Sequence, residues 1–214
     1  MADGRLIGYF RSSAAYRVRI ALNLKGRVAE HVFVHLRKGE QNGPTHRALS
    51  PAGLVPVWCE PEGFTLSQSL AIVQYLDEIF PEPPLLPREA RLRAIAREIA
   101  FSVACDIHPV GNLRVLDKLS SDYGADAEAR AAWNRHWIAI SFGAIEARLA
   151  ECAGVYAVGD SPTLADICLT PQVYNARRFA LDLKPFPRIV AADAAARAHS
   201  AFAAAAPENQ PDAE

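Results

Sequence analysis

The stretch 9–22, YFRSSAAYRVRIAL, constrains this chain more than any other. A short apolar and aromatic run at 6–10 stops at Arg11, Ser12 and Ser13, and apolar residues at helical spacing follow, among them Val18, Ile20, Ala21 and Leu22. This is the pattern of a strand, a brief turn and a helix opened by hydroxyl residues, because a serine oxygen accepts a backbone N–H that the first helical turn cannot satisfy itself. The helix closes near Lys25-Gly26, where glycine takes the left-handed C-terminal position. A helix start facing the tip of a strand offers N–H donors and the positive end of the helix dipole. It therefore suits an anion, and it lowers the pKa of a thiol placed there. Taken alone, the stretch is equally satisfied by a serine that only caps the helix.

Beyond it, 28–36 alternates as a strand does, so the chain opens β-α-β, with a parallel pair and a right-handed crossover. Residues 37–50 form a polar loop carrying Gly39, Gly43 and Pro44, with at most a short helix at 46–49. Two short strands at 54–58 and 64–66 flank a turn and read as a hairpin. Pro56 stands at the start of the first, where a missing N–H is tolerated, and the bond before it is a candidate for cis. Ser67-Gln68-Ser69 then precedes Leu70, Ile72, Val73, Leu76 and Ile79 at helical spacing, until the prolines from Pro81 onward stop the helix. Hydroxyl residues again mark a helix start, giving a second candidate anion site. The order β-α-β, β-β-α is that of a thioredoxin-like domain, which brings both helix starts to one edge of one sheet.

From Arg88 onward the pattern is helical throughout. Residues 91–120 form one helix or two, with a bend near 106–108 ahead of Pro109 and Gly111. The next helix, 127–150, carries Trp133, Trp137, Ile138, Phe142 and Ile145 on its apolar side, and the tryptophans, four apart, share one face for core packing. Thr163 and Asp166 make a capping box into 164–179, which assigns Asp166 to folding. Pro185 and Pro187 interrupt the helices before a final one at 188–205, and 207–214 is a polar, acidic tail, disordered or extended on the surface. The fold class is therefore α/β plus all-α. A thioredoxin-like domain spans 1–82 and an all-helical domain 88–214, joined by a proline-rich connector at 81–87.

Half of the 214 residues are hydrophobic, yet no apolar run approaches the roughly 20 residues of a membrane helix. A formal net charge of −1 argues against a nucleic-acid partner, and the N-terminal residues lack a secretory pattern, so the cytoplasm is the expected location. Cys59, Cys105, Cys152 and Cys168 are far apart, with no C-x-x-C pair, so neither a metal site nor a dithiol motif is expected and buried, reduced cysteines are. Any sulfur chemistry then arrives with a cosubstrate.

This two-part layout resembles that of the glutathione transferases. Within them, the segment 9–22 closely resembles the signature of the zeta class, the maleylacetoacetate and maleylpyruvate isomerases. Further similar segments follow in register along almost the whole chain: Leu54-Val55-Pro56, Gln68-Ser69-Leu70-Ala71-Ile72, Val158-Gly159-Asp160, Leu164-Ala165-Asp166, Pro171-Gln172-Val173, Asn175-Ala176-Arg177-Arg178-Phe179 and Gln210-Pro211-Asp212. The resemblance implies a homodimer that uses glutathione. Ser12 would hydrogen-bond the glutathione sulfur, with Ser13 supporting it or substituting for it; the backbone of Val55, before a cis Pro56, would pair with the cysteinyl part. Gln68 and Ser69 would take the γ-glutamyl carboxylate, and His108 would reach glutathione or the dimer partner. The chain departs from the family's S-S-C pattern at Ala14, so a role for a protein thiol there is absent.

The implied reaction turns a maleyl keto acid into its fumaryl isomer by reversible thiolate addition, rotation and elimination. Its substrate is a dicarboxylate, so arginines should converge on it. Arg178, in the family's N-A-x-R-F motif, is the leading candidate; Arg11 stands beside Ser12, and Arg114 follows the helix bend. Arg17 and Arg19 are expected to pair with acids or face solvent. Two other readings use the same residues: a transferase that conjugates or dehalogenates small α-halo acids, and a transferase-like fold kept only as a binding module.

Overall fold

The computed structural model describes residues 2–214; Met1, the first residue of the expected first domain, lies outside them. Two compact units are present, one of residues up to Pro84 together with Ala198–Glu214, the other Leu85–Arg197.

The first unit is built on a four-stranded sheet in the order β2-β1-β3-β4, with β1 Gly4–Gly8, β2 Ala29–Phe33, β3 Val57–Cys59 and β4 Thr65–Ser67. β1 and β2 run parallel, with Ile7 opposite Val32, while β3 is antiparallel to both β1 and β4. This is the expected β-α-β, β-β-α order. The hairpin strands start later than the pattern suggested: the Val55-Pro56 bond is cis, and pairing begins at Val57. Helix α1, Ser13–Leu24, packs on α3, Ser69–Ile79, and on α9, Ser200–Ala205. Between β2 and β3 the loop holds two 3-10 turns and the short α2, Pro44–Leu49. Ile7, Val34, Val57 and Cys59 form one buried cluster, and Trp58 is fully buried. A side chain on Gly4 would lie 2.5 Å from the Trp58 ring, which is why β1 starts on glycine.

In the second unit the segment read as one helix or two becomes α4, Ala90–Phe101, a π-helical turn Ser102–Ile107 and α5, Leu113–Tyr123. The wider turn thus begins well ahead of Pro109. α6 runs Ala127–Cys152, and Trp133 donates to the Val110 carbonyl at 2.9 Å with its ring edge-on to Trp137, 5.6 Å between centroids. α4 packs on α7, Leu164–Arg178, whose first turn carries the expected capping box. Phe142 of α6 meets Phe186 edge-on at 5.6 Å.

Three expectations need correction. The single final helix is two, α8 Pro187–Ala198 and α9, because His199 caps the start of α9 with its ring nitrogen on the Ala201 N–H. Residues 207–214 are not a loose tail: Asn209 and Gln210 bond the carbonyls of Ala203, Ala204 and Ala206, and Asp212 and Glu214 bond Phe10 and His35. These residues group with the first unit, where α9 packs on α1. Finally, all four cysteines are reduced and Cys59 and Cys168 are buried, but Cys105, on the outer side of the π-helical turn, is exposed.

Asp166 shows how much one buried group organises. It is 1% exposed and accepts from the Thr163 N–H (2.8 Å), the Thr163 hydroxyl (3.1 Å) and the Ala157 N–H (2.8 Å), tying the 153–160 turn to α7. Burial nonetheless pushes its carboxyl up to about 6. Asp166→Ala strands those donors and should lower the unfolding free energy by about 3 kcal/mol. Because the folded pKa lies above the unfolded one, ionising Asp166 costs the folded state, and its stabilisation falls as pH rises from about 4 through about 6. The deficit of the variant, measured by denaturant unfolding, should therefore shrink by about 1 kcal/mol between about pH 5 and pH 7.

Candidate functional site

The first unit gathers the candidates at two helix starts and one loop. β1 ends at Gly8, and the Ser12 N–H donates to the Tyr9 carbonyl at 3.0 Å, closing the turn that leads into α1. Ser12 is the N-cap of α1: its Oγ accepts from the Ala15 N–H at 3.2 Å. A hydroxyl that accepts in this way keeps its own hydrogen to donate. The cap and the candidate catalytic group are thus one atom in two roles. Ser13 is buried in the first turn of α1, and Arg11 is half-buried with its guanidinium 5.6 Å from the centre of the Phe10 ring. Ala14, where the family pattern has cysteine, is also buried.

The second helix start differs from the expectation. The N-cap of α3 is Gln68, with φ 75° and ψ 111°, and its side chain makes no capping bond. A non-glycine residue in the left-handed half of φ is strained, and the surrounding structure must hold it there. Gln68 is exposed, so its amide is presented outward beside the first N–H groups of α3. Ser69, rather than capping, lies buried inside the first turn and accepts from Arg17 Nη1 at 3.2 Å.

Of the two places the sequence reading left open for Arg17 and Arg19, solvent is overturned, since both are buried, while Asp212 lies near enough to Arg19 to favour its charge. Arg17 is 1% exposed and reaches from α1 to α3, placing a guanidinium directly beneath the second helix start. Arg19 is 5% exposed and donates to the carbonyls of Phe10 (2.9 Å), Tyr9 (3.5 Å) and Ala205 (3.0 Å). Burial lowers its pKa to about 10, which leaves it charged at neutral pH. Helical periodicity placed both arginines on α1, but nothing in the pattern distinguishes a guanidinium that spends its donors on carbonyls from one in water.

The loop before β3 is held by residues the sequence reading did not single out for a role. The Leu54 N–H donates to Ser50 Oγ at 3.2 Å, and the Leu54 carbonyl is 3.0 Å from Nε2 of the buried His46. Both sides of the residue before Val55 are therefore fixed. Val55 is half-buried, joined to buried Pro56 by a cis bond, and its peptide stands outside the strand ladder, which begins at Val57. A ligand that runs extended beside this loop would find an N–H and a carbonyl already oriented.

The remaining candidates belong to the second unit. Arg178, exposed, ends α7; it donates to Asn175 Oδ1 at 3.2 Å and lies 4.7 Å from the centre of the Phe179 ring. Its neighbour Arg177 instead pairs at 2.6 Å with the buried Asp193. Arg114 is exposed in the first turn of α5, and half-buried His108 follows the π-helical turn, its N–H on the Val103 carbonyl. Among the described residues no helix is long and apolar enough to cross a membrane.

The chain is similar to known proteins over nearly its whole length. A family model described as glutathione S-transferase, N-terminal domain, matches residues 11–79, which includes α1, β3 and the start of α3. The chain is 49% identical over 210 residues to a probable maleylacetoacetate isomerase of Vibrio cholerae, covering 97% of each protein. It is 46% identical to a maleyl pyruvate isomerase solved in holo form and described as a bacterial zeta-class glutathione transferase, with a TM-score of 0.95 over 98% of this chain and all of that one. A maleylacetoacetate isomerase from Methylobacterium extorquens AM1, solved with bound malonate and glutathione, is 39% identical with a TM-score of 0.94 over 98% and 99% of the two chains. This chain belongs to the zeta class of glutathione transferases, the family of the maleylacetoacetate and maleylpyruvate isomerases.

Proposed function

We propose that the protein is a glutathione-dependent cis-trans isomerase that converts a maleyl keto acid, maleylacetoacetate or maleylpyruvate, to its fumaryl isomer. The observation that carries this reading is Ser12: a hydroxyl fixed at a helix start by the bond it accepts, its hydrogen left to donate, next to Arg11.

The residues present fit glutathione. Its γ-glutamyl carboxylate suits Gln68 and Ser69 at the start of α3, where the dipole and the buried Arg17 favour negative charge. The oriented peptide of Val55 suits the cysteinyl part, and that places the thiol toward Ser12 in our assignment. When bound, glutathione supplies a thiolate that adds to the cis double bond and leaves after rotation, so none is consumed. Ser12 holds that sulfur by donating its hydroxyl hydrogen, and the α1 start, with Ser13 in its first turn, lowers the cost of the negative charge. Arg11 stabilises the charge that develops on the keto oxygen of the substrate. Arg178 and Arg114 take substrate carboxylate, which a guanidinium binds through parallel N–H donors, and His108 is assigned to glutathione. On this assignment residues 1–82 form the glutathione-binding domain and the helical part the substrate and dimer domain, in a cytoplasmic homodimer; reduced cysteines favour that location.

The deciding experiment follows maleylacetoacetate and maleylpyruvate in the ultraviolet, each with and without glutathione, with the product identified by NMR. Loss of the cis isomer, appearance of the trans isomer and unchanged total glutathione are expected; a stable conjugate or no turnover would refute the reading. Ser12→Ala should lower kcat by about 100-fold while glutathione affinity, measured by calorimetry, changes far less. Arg178→Ala should instead raise the substrate KM by about tenfold to hundredfold, as removal of a charge-assisted pair does. Sedimentation equilibrium should give a single species of twice the chain mass.

A further inference from the structure

The C-terminal segment is tied to the turn that carries Arg11 and Ser12, and the tie has a specific form. The peptide linking Tyr9 to Phe10 is held at both ends. Its carbonyl, on Tyr9, accepts from the Ser12 N–H at 3.0 Å and faces Arg19 Nη1 at 3.5 Å. Its N–H, on Phe10, donates to Asp212 Oδ2 at 2.8 Å, across 202 positions of sequence. Phe10 is 6% exposed, so without Asp212 this donor would be buried with no sheet partner, β1 having ended at Gly8. The next carbonyl, on Phe10, accepts from Arg19 Nη2 at 2.9 Å, and Arg19 also holds Ala205 at the end of α9.

Asp212 is in turn anchored on either side. Gln210 Nε2 bonds the carbonyls of Ala204 (3.0 Å) and Ala206 (2.9 Å), and the Glu214 carboxylate pairs with His35 and lies 3.8 Å from Arg37. Tyr16 and Asn23, on α1, donate to the carbonyls of Phe202 and Ala201. The segment is therefore fastened to the same helix whose start it steadies. A peptide gripped on both faces cannot rotate, and rotation of this one would displace Arg11 and the Ser12 cap together.

We propose that Asp212 is a positioning residue for the isomerisation: by accepting the Phe10 N–H it fixes the turn that aims Ser12 and Arg11. The proposal rests on the isomerase reading for its kinetic consequence, and on geometry alone for its effect on the turn. The carboxylate also favours the charge of Arg19, and an asparagine at this position separates that charge from the oxygen acceptor to which the positioning is assigned.

The test compares the full-length parent, Asp212→Ala and Asp212→Asn by three readouts: isomerisation kinetics, the pKa of the bound glutathione thiol from ultraviolet thiolate absorbance, and hydrogen exchange of the peptide containing Phe10. Asp212→Ala should lower kcat about tenfold with substrate KM changed less than about threefold, consistent with loss of one hydrogen bond to a buried amide. It should also raise the thiol pKa and speed exchange at Phe10. Asp212→Asn, which keeps an oxygen in place, should recover most of the loss. Were the alanine variant not to fold, Asp212→Ser, whose hydroxyl is too short to reach Phe10, takes its place under the same criteria. Unchanged exchange at Phe10 and an unchanged thiol pKa in Asp212→Ala would overturn the proposal, as would an asparagine variant as impaired as the alanine one. A parent that turns over neither maleyl substrate would count against the isomerase reading, while exchange and thiol titration would still decide the role of Asp212.

Discussion

A guanidinium can be buried only where its donors are spent, and in the first unit Arg19 spends them on three carbonyls from two stretches far apart in sequence. Two belong to the turn between β1 and α1, and one to the end of α9. Leaving any of these acceptors bare inside the unit, or the cation without them, would cost the desolvation of a charged group. The charge therefore acts as a junction at which strand end, helix start and C-terminal segment share one geometry. Ser12 inherits that geometry, since its N–H closes the same turn and its hydroxyl begins α1.

The other half of the candidate site follows a related logic with different chemistry. The recognition groups proposed for it are mostly backbone: the Val55 peptide and the first N–H groups of α3. A backbone group has no rotamer to lock, so it is aimed by fixing the chain on either side of it. His46 and Ser50 do this for Leu54, and the Arg17 bond to Ser69 joins the start of α3 to α1. The strained φ of Gln68 fits this picture, because a residue held at 75° persists only where its neighbours over-determine it. Polar residues one layer behind the ligand surface thus set its precision.

Much of this was legible in the sequence, and the limits have physical causes. Local signals carried well: Ser12 before an apolar repeat, the capping box at Thr163 and Asp166, and the glycine at position 26 after α1 each act within a few residues, and each is present in the structure. The parallel first pair and the hairpin followed from the sequence of elements. What failed were features decided at long range. The acidic composition of 207–214 suggests solvent, but Asp212 finds a buried N–H 202 positions away. Alanine-rich 188–205 has helical propensity throughout, yet His199 can cap a new helix and the chain breaks there. Arg17 and Arg19 look like a solvated face because periodicity reports which side of a helix a residue occupies and not what covers that side. Ser69 looks like a cap, and the cap is its neighbour, because the turn preceding α3 is shaped by pairing in β4 as well as by hydroxyl chemistry.

The chain's buried cysteines are poorly suited to act as thiolates, which fits the proposal that the helix start at Ser12 serves a sulfur that is brought in. Cys59 and Cys152 have thiol pKa values raised chiefly by burial, so the thiolate form is scarce at both, and Cys168 is fully buried in α7. The one position where α1 would favour a protein thiolate, in its first turn, is Ala14. A nucleophilic thiolate needs both access and a stabilised negative charge, and no buried cysteine has both. With alanine there, the donors of the turn have no competing protein sulfur to serve. On the proposed assignment, alanine at this position leaves the helix start to the incoming thiol, while Arg19 and Asp212 bond the turn that precedes it.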